Sequence, residues 1–224
     1  MTFNEFKIHF EKFSRIDSTE KLAICEQQYQ HHLQHLEDLN FFEPEDKKDR
    51  SDQYTKYLDA TEKVLISPTN SDCQYALIVR PSFEPEFSIC MDMLNDLFTI
   101  THVYLEKNYR AISADPLTFS KKINRSSQVI SLDPALGKKL FLLLEKVIRE
   151  ARPRQSRMIT LDGTLFTIWR SKNGDTEKVT KHSPSDASKT GKLIQLIISF
   201  AESPALTEAA IQQRAKEIEE LLSL

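Results

Sequence analysis

Residues 157–200 leave this chain few architectures. The stretch reads RMITLDGTLFTIWRSKNGDTEKVTKHSPSDASKTGKLIQLIISF. Asp162-Gly163 separates two runs of strand type, Met158 to Leu161 and Thr164 to Trp169, and Asp-Gly supplies the positive φ that a two-residue hairpin turn demands. Leu165, Thr167 and Trp169 alternate with Phe166 and Ile168. Both faces of that strand carry bulk, so it is expected to be buried on both. Asn173-Gly174 marks a second turn, and Glu177 to Lys181 a polar third strand with only Val179 apolar. That strand reads as an edge whose lysines discourage pairing with other chains. Ser183-Pro184, with Asp186 three residues after the serine, reads as a capped helix start. The helix continues through Leu193, Ile194, Leu196, Ile197, Phe200 and Ala201, apolar round most of its circumference and therefore bound for the core. Gly191 within it costs about 1 kcal/mol relative to alanine, which close approach of another backbone would justify.

The rest of the chain falls into place around this stretch. Phe3, Phe6, Phe10 and Phe13 follow a helical stripe, bound for the core. Asp17 to Glu20 forms a capping box for a helix to about Leu39, with Leu22, Cys25, Tyr29, Leu33 and Leu36 on one face. A further helix is predicted from about Ser51 to Leu65. Ser67-Pro68-Thr69-Asn70-Ser71 is a loop by composition and the best internal boundary. Cys73 to Arg80, Phe87 to Met93 and Leu97 to Leu105 read as a three-stranded meander, with a turn at Asn95-Asp96. Residues 107–127 form a polar, basic connection. Asp133-Pro134 opens a helix burying Leu136, Leu140, Leu143, Leu144 and Val147. After Ser203-Pro204, Ile211, Ala215, Ile218 and Leu222 mark an amphipathic C-terminal helix. Helical and sheet runs are segregated, not alternating. The predicted class is therefore α+β: a helical portion over 1–66, then an antiparallel meander sheet of five to six strands packed by helices over 67–224, the two forming one compact unit.

Composition narrows the chemistry. Four glycines in 224 residues nearly exclude Gly-rich cradles for phosphates or dinucleotides. No apolar run approaches the roughly 20 residues that span a bilayer, so no membrane partner is expected. MTFNEFKIHF is too polar for a signal peptide, and three scattered cysteines argue for reduced thiols in a cytoplasmic protein. No motif assigns a catalytic residue, a cofactor or a metal. His31 and His35 share a helix face, but His32 stands where the zinc-protease pattern needs glutamate. Ser188 to Lys192 lacks the glycine and the hydroxyl that a phosphate loop requires. No nucleophile elbow exists, and His182 beside Ser183 is adjacency, not a triad. The chain leans away from enzymes.

Charge is the remaining signal. The net charge of −3 hides a split: residues 107–192 hold 18 Lys and Arg against 8 Asp and Glu. Either the acidic and basic parts face each other, or the charges disperse over a solvated surface, or they form docking faces. The functional expectation is a non-enzymatic protein-protein interaction module, of the kind a bacterial inhibitor or immunity protein represents. It would dock a basic partner through Glu37, Asp38, Glu43, Glu45, Asp46, Asp49 and Asp52. The alternative is a nucleic-acid-associated factor using Lys121, Lys122, Arg125, Arg152, Arg154, Arg157 and Arg170. A second alternative is an enzyme or small-molecule binder whose pocket is assembled from distant residues.

Overall fold

The computed structural model describes residues 1–13, 21–45, 52–66, 73–95, 97–106, 108, 125–155, 163–203 and 207–223. The fold is α+β, with seven antiparallel strands and six helices among the described residues. In chain order these are α1 (Phe3–Phe13), α2 (Lys21–Asp38), β1 (Glu43–Pro44), α3 (Asp52–Ile66), β2 (Tyr75–Pro81), β3 (Phe87–Leu94), β4 (Leu97–Leu105), β5 (Arg125–Leu132), α4 (Pro134–Arg149), β6 (Thr164–Lys172), β7 (Asp175–His182), α5 (Lys189–Glu202) and α6 (Glu208–Ser223). The sheet order is β1-β7-β6-β2-β3-β4-β5. The predicted meander is present as β2-β3-β4. The Asn173-Gly174 turn closes the β6–β7 hairpin, with Lys172 opposite Asp175. Met158 to Asp162 lie outside the described residues.

Alternation sorts the side chains onto two covered faces. On one, Tyr75, Leu77, Val79, Ile89, Met91, Phe98, Ile100 and Ile168 form the larger core with α4, α5 and α6. On the other, Ala76, Ile78, Cys90, Val103 and Trp169 pack against Leu65 and Ile66 of α3. The third helix of the N-terminal portion thus shares a core with the sheet. α4 buries the five apolar residues expected of it, and Asp133 caps it by accepting the Leu136 N–H at 2.9 Å. α1 packs on α2 instead of on the sheet: Phe3 and Phe6 meet Tyr29 at 5.1 and 5.4 Å between ring centres.

Five sequence expectations change. The sheet has seven strands because β1 and β5 join it. The 107–127 connection gives way to strand at Arg125, and β5 was invisible because RSSQVISL offers one exposed and two buried apolar residues. β7 is not an edge: β1 pairs with it at Glu43–Thr180 and Pro44–Val179. Helix α5 starts at Lys189, not Pro184. Its cap is Ser188, whose hydroxyl accepts the Gly191 N–H at 3.1 Å. Ser183 instead adopts φ +41 and accepts the Thr164 N–H. On α2 the apolar face splits: Cys25 is buried, while Leu22, Leu33 and Leu36 are exposed, since the inward side of its last turns is given to His35 and Asp38.

Gly191 does answer to a close backbone approach. A Cβ there would lie 2.1 Å from the Ser185 carbonyl oxygen. Gly191→Ala is therefore expected to cost about 1–3 kcal/mol in urea unfolding, despite alanine's better helix propensity. Lys192→Ala, an exposed neighbour, should change stability by under about 0.5 kcal/mol. Equal stability for Gly191→Ala and the parent would refute the crowding argument.

Candidate functional site

Of the acidic residues named from sequence, three pair with basic side chains of the chain itself, although Glu37 stays exposed. Glu37 pairs with Arg152 at 2.8 Å, Glu43 with Lys181 at 3.2 Å, and Glu45 with Lys178 at 3.9 Å. Glu62 of α3 joins the same Lys178 at 2.7 Å. Asp38 is buried, and its carboxylate accepts the Gln155 N–H. Asp52 lies in the first turn of α3, where a carboxylate suits the helix dipole. Asp46 and Asp49 lie outside the described residues. Of the three readings of the charge split, these pairs realise the one in which acidic and basic parts face each other.

Of the basic residues named for nucleic acid, Arg152 and Arg170 are held by carboxylates of the chain itself. Arg152 holds Glu37 and stacks over the Phe41 ring at 3.7 Å. Arg170 is shared by Glu145 and Glu177. Arg154 enters a pocket described below. Lys121, Lys122 and Arg157, and the Arg125 side chain, lie outside the described residues.

Two features of the sheet remain, one at each end. At the β1–β7 end the structure leaves a partly open pocket of about 300 Å3. The last turn of α2 brings His35 and Asp38 to it, β1 brings Glu43, and the chain beyond α4 brings Arg154. β7 and the residues after it contribute Lys181, His182, Ser183 and Ser185. The wall is braced from within. Lys181, only 4% exposed, donates to the Asp38 carbonyl and to Glu43. Gly163 permits the packing behind it, since a Cβ there would strike the Ser183 hydroxyl at 1.8 Å. The Nδ1 atoms of His35 and His182 are buried without a hydrogen-bond partner. Burial, then the charge of Arg154, makes both imidazoles harder to protonate. Burial likewise lowers the Lys181 pKa, against the pull of Glu43. Among the described residues, no group of three or more His, Cys, Asp or Glu is placed to hold a metal. Of the pair weighed as ligands, His31 is exposed while His35 lines the cavity.

At the opposite end the sheet stops at β5. All eight of its residues pair with β4, from Arg125–Leu105 to Leu132–Phe98, and no described element pairs with its outer side. Ile130 and Leu132 face the larger core, while Ser127, Val129 and Ser131 point to the α3 side and are exposed. α3 packs chiefly on β2 and β3, with Val103 and Leu105 of β4 in the same cluster, and leaves Val129 exposed. Val129 is 65% exposed, and Leu97 on β4 54%. From Ser126 to Leu132 the strand carries neither charge nor proline, the usual protections of a free edge.

Sequence reasoning missed the two features for different reasons. The cavity's members are far apart in the chain, His35 and His182 above all, and no spacing rule links them, whereas β5 carries too few apolar residues to stand out as a strand. The one local signal was the run Lys181-His182-Ser183 at a strand end, read there as edge lysine, adjacency and helix cap. No family model matches the chain, and no curated protein or solved structure matches it either.

The depressed imidazoles set a pH dependence. An imidazole harder to protonate in the folded state leaves the unfolded chain binding more protons. Stability is then full above the ordinary value of 6.5 and falls as pH drops through it toward the lower folded pKa. Urea unfolding free energy should decline between about pH 7 and 5.5. His35→Gln and His182→Gln should each flatten that slope. Parent-like slopes in both variants would show that His35 and His182 are not its source.

Proposed function

We propose that this chain is a protein-binding module that receives an extended segment of a partner protein along the outer edge of β5. The observation that carries this reading is an eight-residue edge strand with no described neighbour on its outer side, no internal charge and no proline. An open edge presents a row of backbone N–H and C=O groups, and adding a strand satisfies them. Leu97 and Val129 lie beside that edge on the face α3 leaves bare, and offer apolar footholds to alternate side chains of the incoming strand. Ser127 and Ser131 leave room for those side chains. The occupant is a partner segment, not a second β5, because two such strands would set serine and glutamine against each other and bury little apolar surface.

The acidic segment then has a different task from the one its charge suggests. Its carboxylates bind the chain's own Arg152, Lys178 and Lys181, so docking is assigned to β5. The thiols of Cys25, Cys73 and Cys90 are buried and outside any disulfide, which supports a protein that works inside the cell, where thiols stay reduced.

A lysine at an exposed edge position opposes strand addition. Val129→Lys should abolish capture of a partner from native cells. It should change unfolding stability by under about 0.5 kcal/mol, since the side chain touches little. Capture unchanged in Val129→Lys and in Leu97→Lys would overturn the proposal. Loss of a homodimer in light scattering, with no other protein captured by the parent, would replace the partner segment with a second copy.

A further inference from the structure

We infer that the cleft between α5 and α6 is a binding site for a small uncharged organic molecule, whose apolar body rests on Leu196, Leu221 and Ala210 and whose carbonyl oxygen accepts from Arg214. This goes beyond the docking reading and uses neither end of the sheet. The cleft follows from how α6 is tied. Its apolar residues join the larger core, and its polar ties run to α4: Lys139 meets Glu219 at 2.5 Å, and Lys146 donates to the Leu222 carbonyl at 2.5 Å. Toward α5, the described hydrogen bonds are those of Arg214, whose Nη2 donates to the Ser199 carbonyl at 2.8 Å and to the Ser203 hydroxyl at 3.2 Å. Away from that tie the two helices leave a cleft of about 620 Å3. Leu196 and Leu221, both buried, form its floor with half-buried Ala210 and Ser199.

Size, one orphaned donor and charge define the class of ligand. Pockets that hold small organic molecules run from about 300 to 1,000 Å3 and are mostly apolar, with a few polar groups that orient the ligand. A partner helix, about 10 Å across, would fit only about one and a half turns into 620 Å3, too short to bury an amphipathic face. The orphaned donor is on Arg214. Its guanidinium lies over the Phe200 ring at 4.6 Å and is held through Nη2, yet among the described residues no acceptor meets its buried Nη1. A buried donor without an acceptor is costly, and a ligand oxygen removes that cost. Charge then excludes ions. Asp186, Glu217 and Glu220 line the cleft against Lys192 and Arg214, so an anion would meet a surplus of carboxylates. A cation would bring its charge beside the guanidinium. Glu217, which accepts from the Gln213 amide at 2.8 Å, already favours the charged form of Arg214 against its burial, so the guanidinium needs no counter-ion from the ligand. A neutral oxygen acceptor on an apolar body meets all three conditions.

The test titrates the full chain into prodan, an uncharged naphthyl ketone. Its emission moves to the blue on leaving water and back toward the red when its carbonyl accepts a hydrogen bond. A saturable blue shift is expected, with a dissociation constant of roughly 10–200 µM for a ligand of this size. Anilinonaphthalene sulfonate, of similar body but anionic, should bind at least about tenfold more weakly. Gln195→Trp and Gln213→Trp place an indole in the cleft from exposed positions on its two helices. Each should weaken prodan binding at least about tenfold while leaving the thermal unfolding midpoint near that of the parent. Arg214→Leu should weaken it about tenfold, the effect of one hydrogen bond to a charged group, and the bound emission should lie further to the blue. No saturable shift with the parent chain would overturn the inference, as would parent-like affinity in both tryptophan variants or equal affinity for the sulfonate. Parent-like affinity and emission in Arg214→Leu would do the same.

Discussion

β2 is buried on both faces along Tyr75 to Arg80, and the rest of the structure follows from that strand having no wet side. A sheet whose central strands are apolar above and below needs a helical layer on each face. α4, α5 and α6 supply one layer and α3 the other. Arg80 shows how strictly the layers must match. Its guanidinium, 5% exposed, emerges beneath α3, and an unpaired charge there would be costly. It donates to the Thr61 hydroxyl at 3.0 Å, to the Leu58 carbonyl at 3.3 Å and to the Thr167 hydroxyl at 3.1 Å. One side chain therefore ties α3 to β2 and β6, and α3 has one position in which all three bonds close.

The segment from Leu39 to Glu45 then joins the two parts of the chain. Phe42 drops into the larger core, Arg152 donates its N–H to the Phe42 carbonyl at 3.0 Å, and the Asn40 side chain accepts the Lys189 N–H at the start of α5. The acidic and basic stretches meet along this joint, which is why the charge split of the sequence does not become two open faces among these residues. Where the joint turns away from the core it leaves a polar cavity. Where the sheet runs out on the far side, beyond the reach of α3, it leaves a bare edge.

Legibility in the sequence followed the range of the forces involved. β4 was read at Leu97 to Leu105 because its signal is local, a run of β-branched and aromatic residues that packs where it stands. The buried face of α4 was read for the same reason, its leucines recurring at helical spacing beside an Asp-Pro start. β5 was missed because an edge strand needs only one apolar face and owes its existence to pairing with β4. Ser183 outcompeted Ser188 as a cap on paper, since Pro184 follows it. In the fold the Ser183 hydroxyl is taken by the Thr164 N–H across the β6–β7 strand ends, a partner 19 residues away.

Hydrophobic period, turn chemistry and capping are properties of a few neighbouring residues, so the chain itself carries the α+β class, the meander, the second hairpin and most helix bounds. Pairing across long separations is not written in any window. Whether Lys181 guards an edge or braces a cavity, whether Glu43 meets solvent or an ammonium, and whether His35 faces an ion or His182, depends on which surfaces collapse together. Burial of β2 between two helical layers made those choices, and it placed the cavity and the open edge at the two ends of the sheet.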